Sequence, residues 1–506
     1  MTLQKAFLGD ITAEGDTSLS KYFISSTPSF SSAIDLNNKR CFLIGRTGAG
    51  KSAIINEIQE RFAHDKNHLC VSIQPDKAYL DKVVQSREFL EISKDSQFSQ
   101  IIFKLVWHYV IMIRVLQEKY GPEGPKKTWQ LLIGEDFKAY RFLKKARQLT
   151  TDGLTMSDTV IGLIKTIGLS VGKLTATLDS NNKNIELTEF HRLIKETDNF
   201  FENGFWDVLR GHKLYLLFDD LDEGWDPDSD AQQQLLRALF QVVNKYNHRD
   251  RVKPIVALRA NIFHGLNLPQ REKYTDYIEY VRWTPNLLKQ MLALRVENYY
   301  NIPAKDIHKK FFSGDVSGVA LPEYIISNTL NRPRDVLMLA KSSIEEAIKE
   351  GSDLIFARHV KAARERYSKD RVRALHDEWK FLFPHIETML KWVAEGIPNA
   401  TPSEKLTPRE VKETLEYVRE RVDDTDSNNS PLWVLSYFPI KSNDPLLLVE
   451  ALYKLGILTV LKDGLRHTED NTPEMPKLTK QQEFQFHPMI TPYLEIYSSA
   501  PDSIWT

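Results

Sequence analysis

The chain has 506 residues, 42% of them apolar and 27% charged, with 67 Lys and Arg set against 68 Asp and Glu. That length predicts several domains, at about 100–200 residues each, and the apolar share excludes a largely disordered chain. A formal charge of −1 excludes a globally basic nucleic-acid coat, but not a local basic patch.

The two cysteines, Cys41 and Cys70, can form neither a disulfide framework nor a four-ligand zinc site. Both lie in strand-like apolar runs, which predicts buried free thiols and a reducing, cytoplasmic setting. Met1–Asp10 has no basic flank followed by a long apolar core, so no signal peptide is expected. No run reaches the ~18–20 uninterrupted apolar residues of a membrane span. Leu105–Ile113 comes nearest but contains His108, and 159–178 carries Lys165 and Lys173. Buried or amphipathic helices are expected there, and no membrane partner.

A polar lead segment, 1–35, precedes the first clear strand, Arg40-Cys41-Phe42-Leu43-Ile44. A continuous apolar run bounded by glycine reads as a strand buried on both faces. A helix over 52–62 and a strand over 69–73 follow. Residues 84–210 carry apolar residues at helical spacing, with breaks at Gly121-Pro122 and Gly124-Pro125, and predict a helical insertion with a polar loop at 179–184. Strand signals return at 213–218 and 254–258, separated by an amphipathic helix over 230–244. This alternation predicts a parallel sheet with right-handed crossovers. From 269 onward the pattern is helical. Proline opens helices over 285–300 and 333–349, and a charged helix runs over 354–375.

Gly45-Arg46-Thr47-Gly48-Ala49-Gly50-Lys51-Ser52 fills every fixed position of G-x-x-x-x-G-K-[ST], after a buried strand and at the start of a helix. In such a loop, backbone N–H groups curl around phosphate oxygens and the helix dipole adds positive potential. Lys51 is expected to reach the β- and γ-phosphates, and the Ser52 hydroxyl to coordinate Mg²⁺. Leu214–Phe218 ends in Asp219-Asp220-Leu221-Asp222-Glu223. A hydrophobic strand ending in acids is the Walker B pattern. Asp219 is expected to bind Mg²⁺ directly or through water, and Asp220 to polarise the attacking water. Asp222 and Glu223 either cap the next turn or supply a second base.

The strand over 254–258 ends in Arg259-Ala260-Asn261. Arg259, or Asn261 as second choice, is placed to touch the γ-phosphate or the attacking water. The alternative for Arg259 is a salt bridge to the acidic cluster. Asn331-Arg332-Pro333-Arg334-Asp335 opens a later helix. The macrodipole disfavours arginine at a helix start, so Arg334, or Arg332 instead, is read as an anion contact in preference to a surface ion pair.

This ordered set resembles P-loop ATPases of the AAA+/STAND branch over about residues 35–350, and its Asp-Asp-Leu-Asp form looks most like KAP-type bacterial ATPases. The resemblance implies an α/β, P-loop parallel-sheet core over 36–268 interrupted by the 84–210 insertion, and a helical lid over 269–375. It also implies ATP and Mg²⁺ as ligands, and hydrolysis coupled to homo-oligomerisation or to a conformational switch. The chain departs from it in three ways. The acidic pair is Asp-Asp where AAA+ motors carry Asp-Glu, the insertion shows no membrane span, and no arginine finger stands out among Arg271, Arg282 and Arg295. A slow switch is therefore expected, not a fast ring motor.

Residues 376–506 form the last unit. A helix over 443–455, a strand at Ile457–Val460, a turn at Lys462-Asp463-Gly464 and a strand at Phe484–His487 resemble a winged-helix domain, as found after the lid in initiator-type and STAND ATPases. Its helix carries only Lys454 as a cation, which favours protein contact or internal packing over DNA reading. Between 358 and 380, eight Lys and Arg are interleaved with Tyr367 and Trp379. That stretch either contacts nucleic-acid phosphate or forms a solvated face with local ion pairs, and the second is preferred. His212, His264, His359, His376 and His487 show no metal-ligand spacing, and no nuclease or protease signature is present.

The combined expectation is a slowly hydrolysing, Mg-dependent ATPase in which Arg334 ties the lid to the bound nucleotide. With no effector chemistry in the chain, its output passes to a separate effector protein, a nuclease or toxin by resemblance to ATPases of bacterial antiviral defence. A DNA-associated motor or loader and an ATP-binding scaffold without turnover are the alternatives.

Overall fold

The structure is a computed structural model. It describes residues 7–74, 96–121, 134–149, 192, 194–221, 229–397, 401–424, 430–438, 445–469, 472 and 474–498. The chain forms two compact units. One comprises Ser25–Arg46 and Lys51–Val281, and the other Met1–Ile24, Thr47–Gly50 and Arg282–Thr506.

The first unit is built on a five-stranded sheet of β1 (Phe42–Gly45), β2 (His68–Ile73), β3 (Lys213–Phe218), β4 (Val252–Arg259) and β5 (Ile278–Tyr280), in the order β2-β3-β4-β1-β5. Every pairing is parallel, as the strand–helix alternation predicts. Alternate residues face opposite sides of the sheet. Leu214, Leu216 and Phe218 join a core with α3 (Ser96–Tyr120) and α5 (Asp230–Asn247). Tyr215 points the other way. Its hydroxyl donates to the carbonyl of Ile34 in α1 (Pro28–Ile34), and its ring stacks on Phe62 of α2 (Lys51–Phe62). The helix α4 (Glu135–Leu149) packs on α3.

Among the described residues, one helix, Ser99–Tyr120, is long and apolar enough to cross a membrane. However, 72% of its apolar window is buried inside the protein. Trp107 Nε1 donates from it to the carbonyl of Leu235, 2.9 Å away in α5. Burial pushes His108 down to about 3, so it sits in this core as a neutral ring. The insertion is helical where it is described, and its 179–184 loop lies outside the described residues. Cys41 is buried and Cys70 half-buried, and burial pushes both thiols up to about 12.

β5 was not expected, since the sequence beyond 269 reads as helix. Three residues carry no periodicity, and a charged residue, Glu279, sits mid-strand. Its carboxylate takes a 2.6 Å ion pair from Arg40 and hydrogen bonds from Ser29 and Ser32. Lys253 of β4 is fully buried. It donates to the carbonyls of Asn38 and Arg40, fixing the turn that feeds β1. Burial lowers this amine to about 8.

The second unit opens with α6 (Pro285–Tyr300), capped by Thr284, whose hydroxyl accepts from the Leu287 N–H. A small hairpin, β6 (Asp315–Val316) and β7 (Val319–Ala320), leads to α7 (Leu321–Ser327), α8 (Pro333–Lys349) and α9 (Ala357–Trp379). Then come α10 (Ile386–Glu395), α11 (Pro408–Asp424), α12 (Leu446–Lys454), β8 (Leu458–Lys462), β9 (Leu465–His467), β10 (Glu483–Phe486) and α13 (Thr491–Ser498). The three strands form an antiparallel sheet in the order β10-β8-β9, so the expected helix–strand–turn–strand unit is present. Residues 443 and 444 of its predicted helix lie outside the described residues. Helices and small sheet share one apolar core, which also takes in Leu8 and Ile24.

Candidate functional site

β1 delivers Gly45 to the phosphate loop, and α2 begins at Lys51. Gly48 and Gly50 have φ of +82° and +95°, a region open to glycine at little cost. A Cβ on Gly48 would also lie 2.7 Å from that of Arg334. Lys51 Nζ folds back onto the loop, donating to the carbonyls of Gly45 (2.9 Å) and Arg46 (3.3 Å).

Asp219 follows β3 and is only 3% exposed. One carboxylate oxygen, Oδ1, accepts the Asp220 N–H at 3.1 Å. The other, Oδ2, is buried without a hydrogen-bond partner. Burial above all, and then the neighbouring Asp220 charge, push this carboxyl up to about 7. The Ser52 hydroxyl bonded to it, the Asp220 N–H and the Lys51 charge pull it back down. Asp220 is exposed and sits at φ +53°, a region uncommon for a non-glycine residue but better tolerated by Asp and Asn. Asp222 and Glu223 lie outside the described residues.

A buried carboxylate oxygen with open lone pairs, near a serine hydroxyl, suits a hard cation that takes oxygen ligands. Mg²⁺ needs few protein ligands, because it keeps waters and substrate oxygens. Among the described residues no group of three or more His, Cys, Asp and Glu could form an all-protein cage. Ser52 and Asp219 are therefore the residues that would hold Mg²⁺.

Arg259 ends β4 directly beside Gly45 in the sheet register, partly buried, and Asn261 lies in the short helix Ala260–Gly265 that follows. In the second unit, α8 starts with Pro333 at its first turn and no side-chain cap. The Arg334 N–H instead lies 3.4 Å from the Gly48 carbonyl, satisfying one of the orphan donors of a helix start. Arg334 is half-buried and sits against the loop apex.

Arg332 is a different case. It is 2% exposed and donates to the Thr47 carbonyl at 2.9 Å, with Asp335 at 3.4 Å and Glu378 at 3.7 Å. Its charge is already matched by protein carboxylates, which favours Arg334 over Arg332 as an anion contact. Sequence reasoning missed Glu378, which accepts the Thr47 N–H at 3.3 Å, and Trp283, whose Nε1 donates to the Ala49 carbonyl at 2.8 Å. No local pattern marks either, because each reaches the loop from far along the chain.

Of the arginine-finger candidates, Arg295 is buried on Asp16 (3.0 Å) and the Leu8 carbonyl (2.6 Å), which is a structural role. Arg271 bonds the Phe263 carbonyl and stacks on that ring. Arg282 is exposed.

Known proteins resemble the chain in several ways. The family model described as FunZ-associated C-terminal helical domain matches residues 286–376. That stretch runs from α6 to near the end of α9. A putative transposon gamma-delta 80.3 kDa protein of Escherichia coli K12 is 23% identical over 437 residues, covering 82% of this chain and 57% of the relative. The chain thus spans little more than half of that relative's length. Among solved structures, the Aeropyrum pernix ORC2 protein aligns with a TM-score of 0.41 and 14% identity, over 96% of this chain and 91% of the other. The Aeropyrum pernix ORC1 protein in complex with DNA gives 0.35 and 13%, over 90% and 86%.

Proposed function

We propose that the chain binds Mg-ATP at the phosphate loop and hydrolyses it slowly, as a nucleotide-controlled switch. The observation that carries this reading is Asp219. It is a buried carboxylate with an open oxygen, at the end of a strand beside a complete phosphate-loop motif that places Ser52 next to it. When bound, Mg²⁺ would supply charge neutralisation at the β- and γ-phosphate oxygens.

The chain's own residues do the rest. Loop N–H groups cradle phosphate oxygens. Lys51 leaves the Gly45 and Arg46 carbonyls for the phosphates. Asp220, exposed at the tip of β3, accepts a proton from the attacking water. Arg259 offers positive charge to the γ-phosphate, and Arg334, against Gly48 in its own unit, is the second anion contact of this reading. The Asp-Asp pair supports the KAP-like, slow reading, and output to a separate effector protein and assembly into homo-oligomers are part of the same proposal. An effector nuclease or toxin in antiviral defence is the setting this proposal favours.

One observation supports a second, DNA-associated reading: the relative's description as a transposon protein. Against it, the 358–380 arginines and lysines are largely committed. Arg358 pairs with Glu350 (2.7 Å), Arg366 with Glu345 (2.9 Å), Lys369 with Glu365 (2.8 Å) and Arg371 with Asp335 (2.9 Å). Phosphate release measured with and without duplex DNA separates the two. Strong stimulation by DNA would favour a loader, whereas a DNA-independent rate that falls in Asp220→Asn supports the switch.

A further inference from the structure

We infer that Glu378 and Arg332 form a buried clamp that sets the conformation of the phosphate loop, and so act as positioning residues for nucleotide binding. The inference rests on the ATP reading above. Its root is a single residue, Thr47, held at both of its backbone polar groups. The N–H donates to Glu378 Oε1 at 3.3 Å, and the carbonyl accepts from Arg332 at 2.9 Å. The two side chains face each other at 3.7 Å, and only 2–3% of either is exposed.

Behind them stands a second layer. Asp335, fully buried, lies 3.4 Å from Arg332 and 2.9 Å from Arg371, and accepts from the Tyr367 hydroxyl at 3.1 Å. Two guanidiniums and two carboxylates thus lie together in the buried layer. They come from the start of α8 and the last turns of α9. Trp283 holds the next loop carbonyl but one, that of Ala49.

A loop of glycines and small residues has many backbone states, and binding requires one of them. The apparent dissociation constant rises in inverse proportion to the fraction of molecules in the competent state. A clamp that fixes Thr47 from both sides raises that fraction before nucleotide arrives. It also couples the Thr47–Gly50 segment to the α8–α9 pair within the same compact unit. Charged hydrogen bonds in a dry setting suit this role, because they are directional and lost steeply with distance.

The test uses the full chain. Glu378→Ala removes the acceptor, Glu378→Gln keeps an acceptor for Thr47 but loses the charge facing Arg332, and Arg366→Ala on exposed α9 surface is the control. Mg-ATP affinity is measured by calorimetry, and amide hydrogen exchange of the loop is followed without nucleotide. Loss of a charged hydrogen bond should raise the dissociation constant about tenfold in Glu378→Ala. A smaller rise, about threefold, is expected in Glu378→Gln. Both should speed loop exchange well below the melting temperature, while Arg366→Ala matches wild type.

If Glu378→Ala fails to fold, Glu378→Gln carries the test. A folded Glu378→Gln protein with wild-type loop exchange and wild-type affinity overturns the clamp. If wild type and Lys51→Ala bind nucleotide alike, the ATP reading fails instead. In that case unchanged loop exchange would still count separately against the clamp.

Discussion

Buried charge is handled in opposite ways in the two units. In the sheet unit, Asp219 is buried with an oxygen unfilled, beside another acid. In the helical unit, Arg332, Asp335, Arg371 and Glu378 are as deeply buried but face one another. Desolvation penalises both arrangements. What differs is where compensation comes from. The helical cluster sets opposite charges within 2.9–3.7 Å of one another, although Asp335 Oδ2, like Asp219 Oδ2, accepts no hydrogen bond. Asp219 has an acid, not a cation, as its immediate neighbour, which is the feature the proposed Mg²⁺ site builds on. Burial of a charged group therefore says little about function until its partners are counted.

Removing one member of the buried cluster should have the largest effect. Asp335→Ala leaves two buried guanidiniums without their shared carboxylate and should cost about 3–5 kcal/mol of stability, read by chemical denaturation. A loss under about 1 kcal/mol would show that the cluster is not a closed electrostatic unit.

Asp219→Asn should act in the reverse direction. Below about pH 4 the carboxyl is protonated in folded and unfolded chains alike and contributes nothing. Between there and pH ~7 the unfolded chain loses its proton while the folded site keeps it, so wild-type stability falls as pH rises; above pH 7 the penalty is complete. Without metal, Asp219→Asn should therefore be more stable than wild type at pH 8, by on the order of 2–4 kcal/mol, and equal to it near pH 4. Equal melting curves at pH 8 would mean that Asp219 is already compensated.

Asp220→Asn sharpens the contrast, since Asn also tolerates the left-handed backbone that Asp220 adopts. Stability should stay within about 0.5 kcal/mol of wild type, while phosphate release falls ~100-fold or more. Unchanged release would remove Asp220 from the chemistry. The smallest effect belongs to the exposed pairs on α9. Arg366→Ala should shift stability by less than about 1 kcal/mol.

These two regions were unequally legible in the sequence. The phosphate loop, β3 and its acidic end could be read because their chemistry is contiguous and each step has a fixed spacing. Pro285 and Pro333 announced the starts of α6 and α8 for the same local reason. The clamp was hidden. Thr47 and Glu378 lie 331 positions apart, and Glu378 in sequence is one acid in a mixed-charge helix. β5 was hidden by brevity and by Glu279, which looks like surface until Arg40, Ser29 and Ser32 are seen around it. For the arginine-rich helix the sequence favoured local ion pairs over a phosphate contact, and could not name the partners, Glu350 and Glu345, that lie outside the helix.

The most direct test of Mg-ATP binding at this site is calorimetric titration of Mg-ATP into wild-type, Lys51→Ala and Asp219→Asn proteins, each first shown to be folded. Saturable binding by wild type is expected, with Lys51→Ala silent and Asp219→Asn losing its dependence on Mg²⁺. Undiminished, Mg-dependent binding in both variants would contradict the assignment of the site.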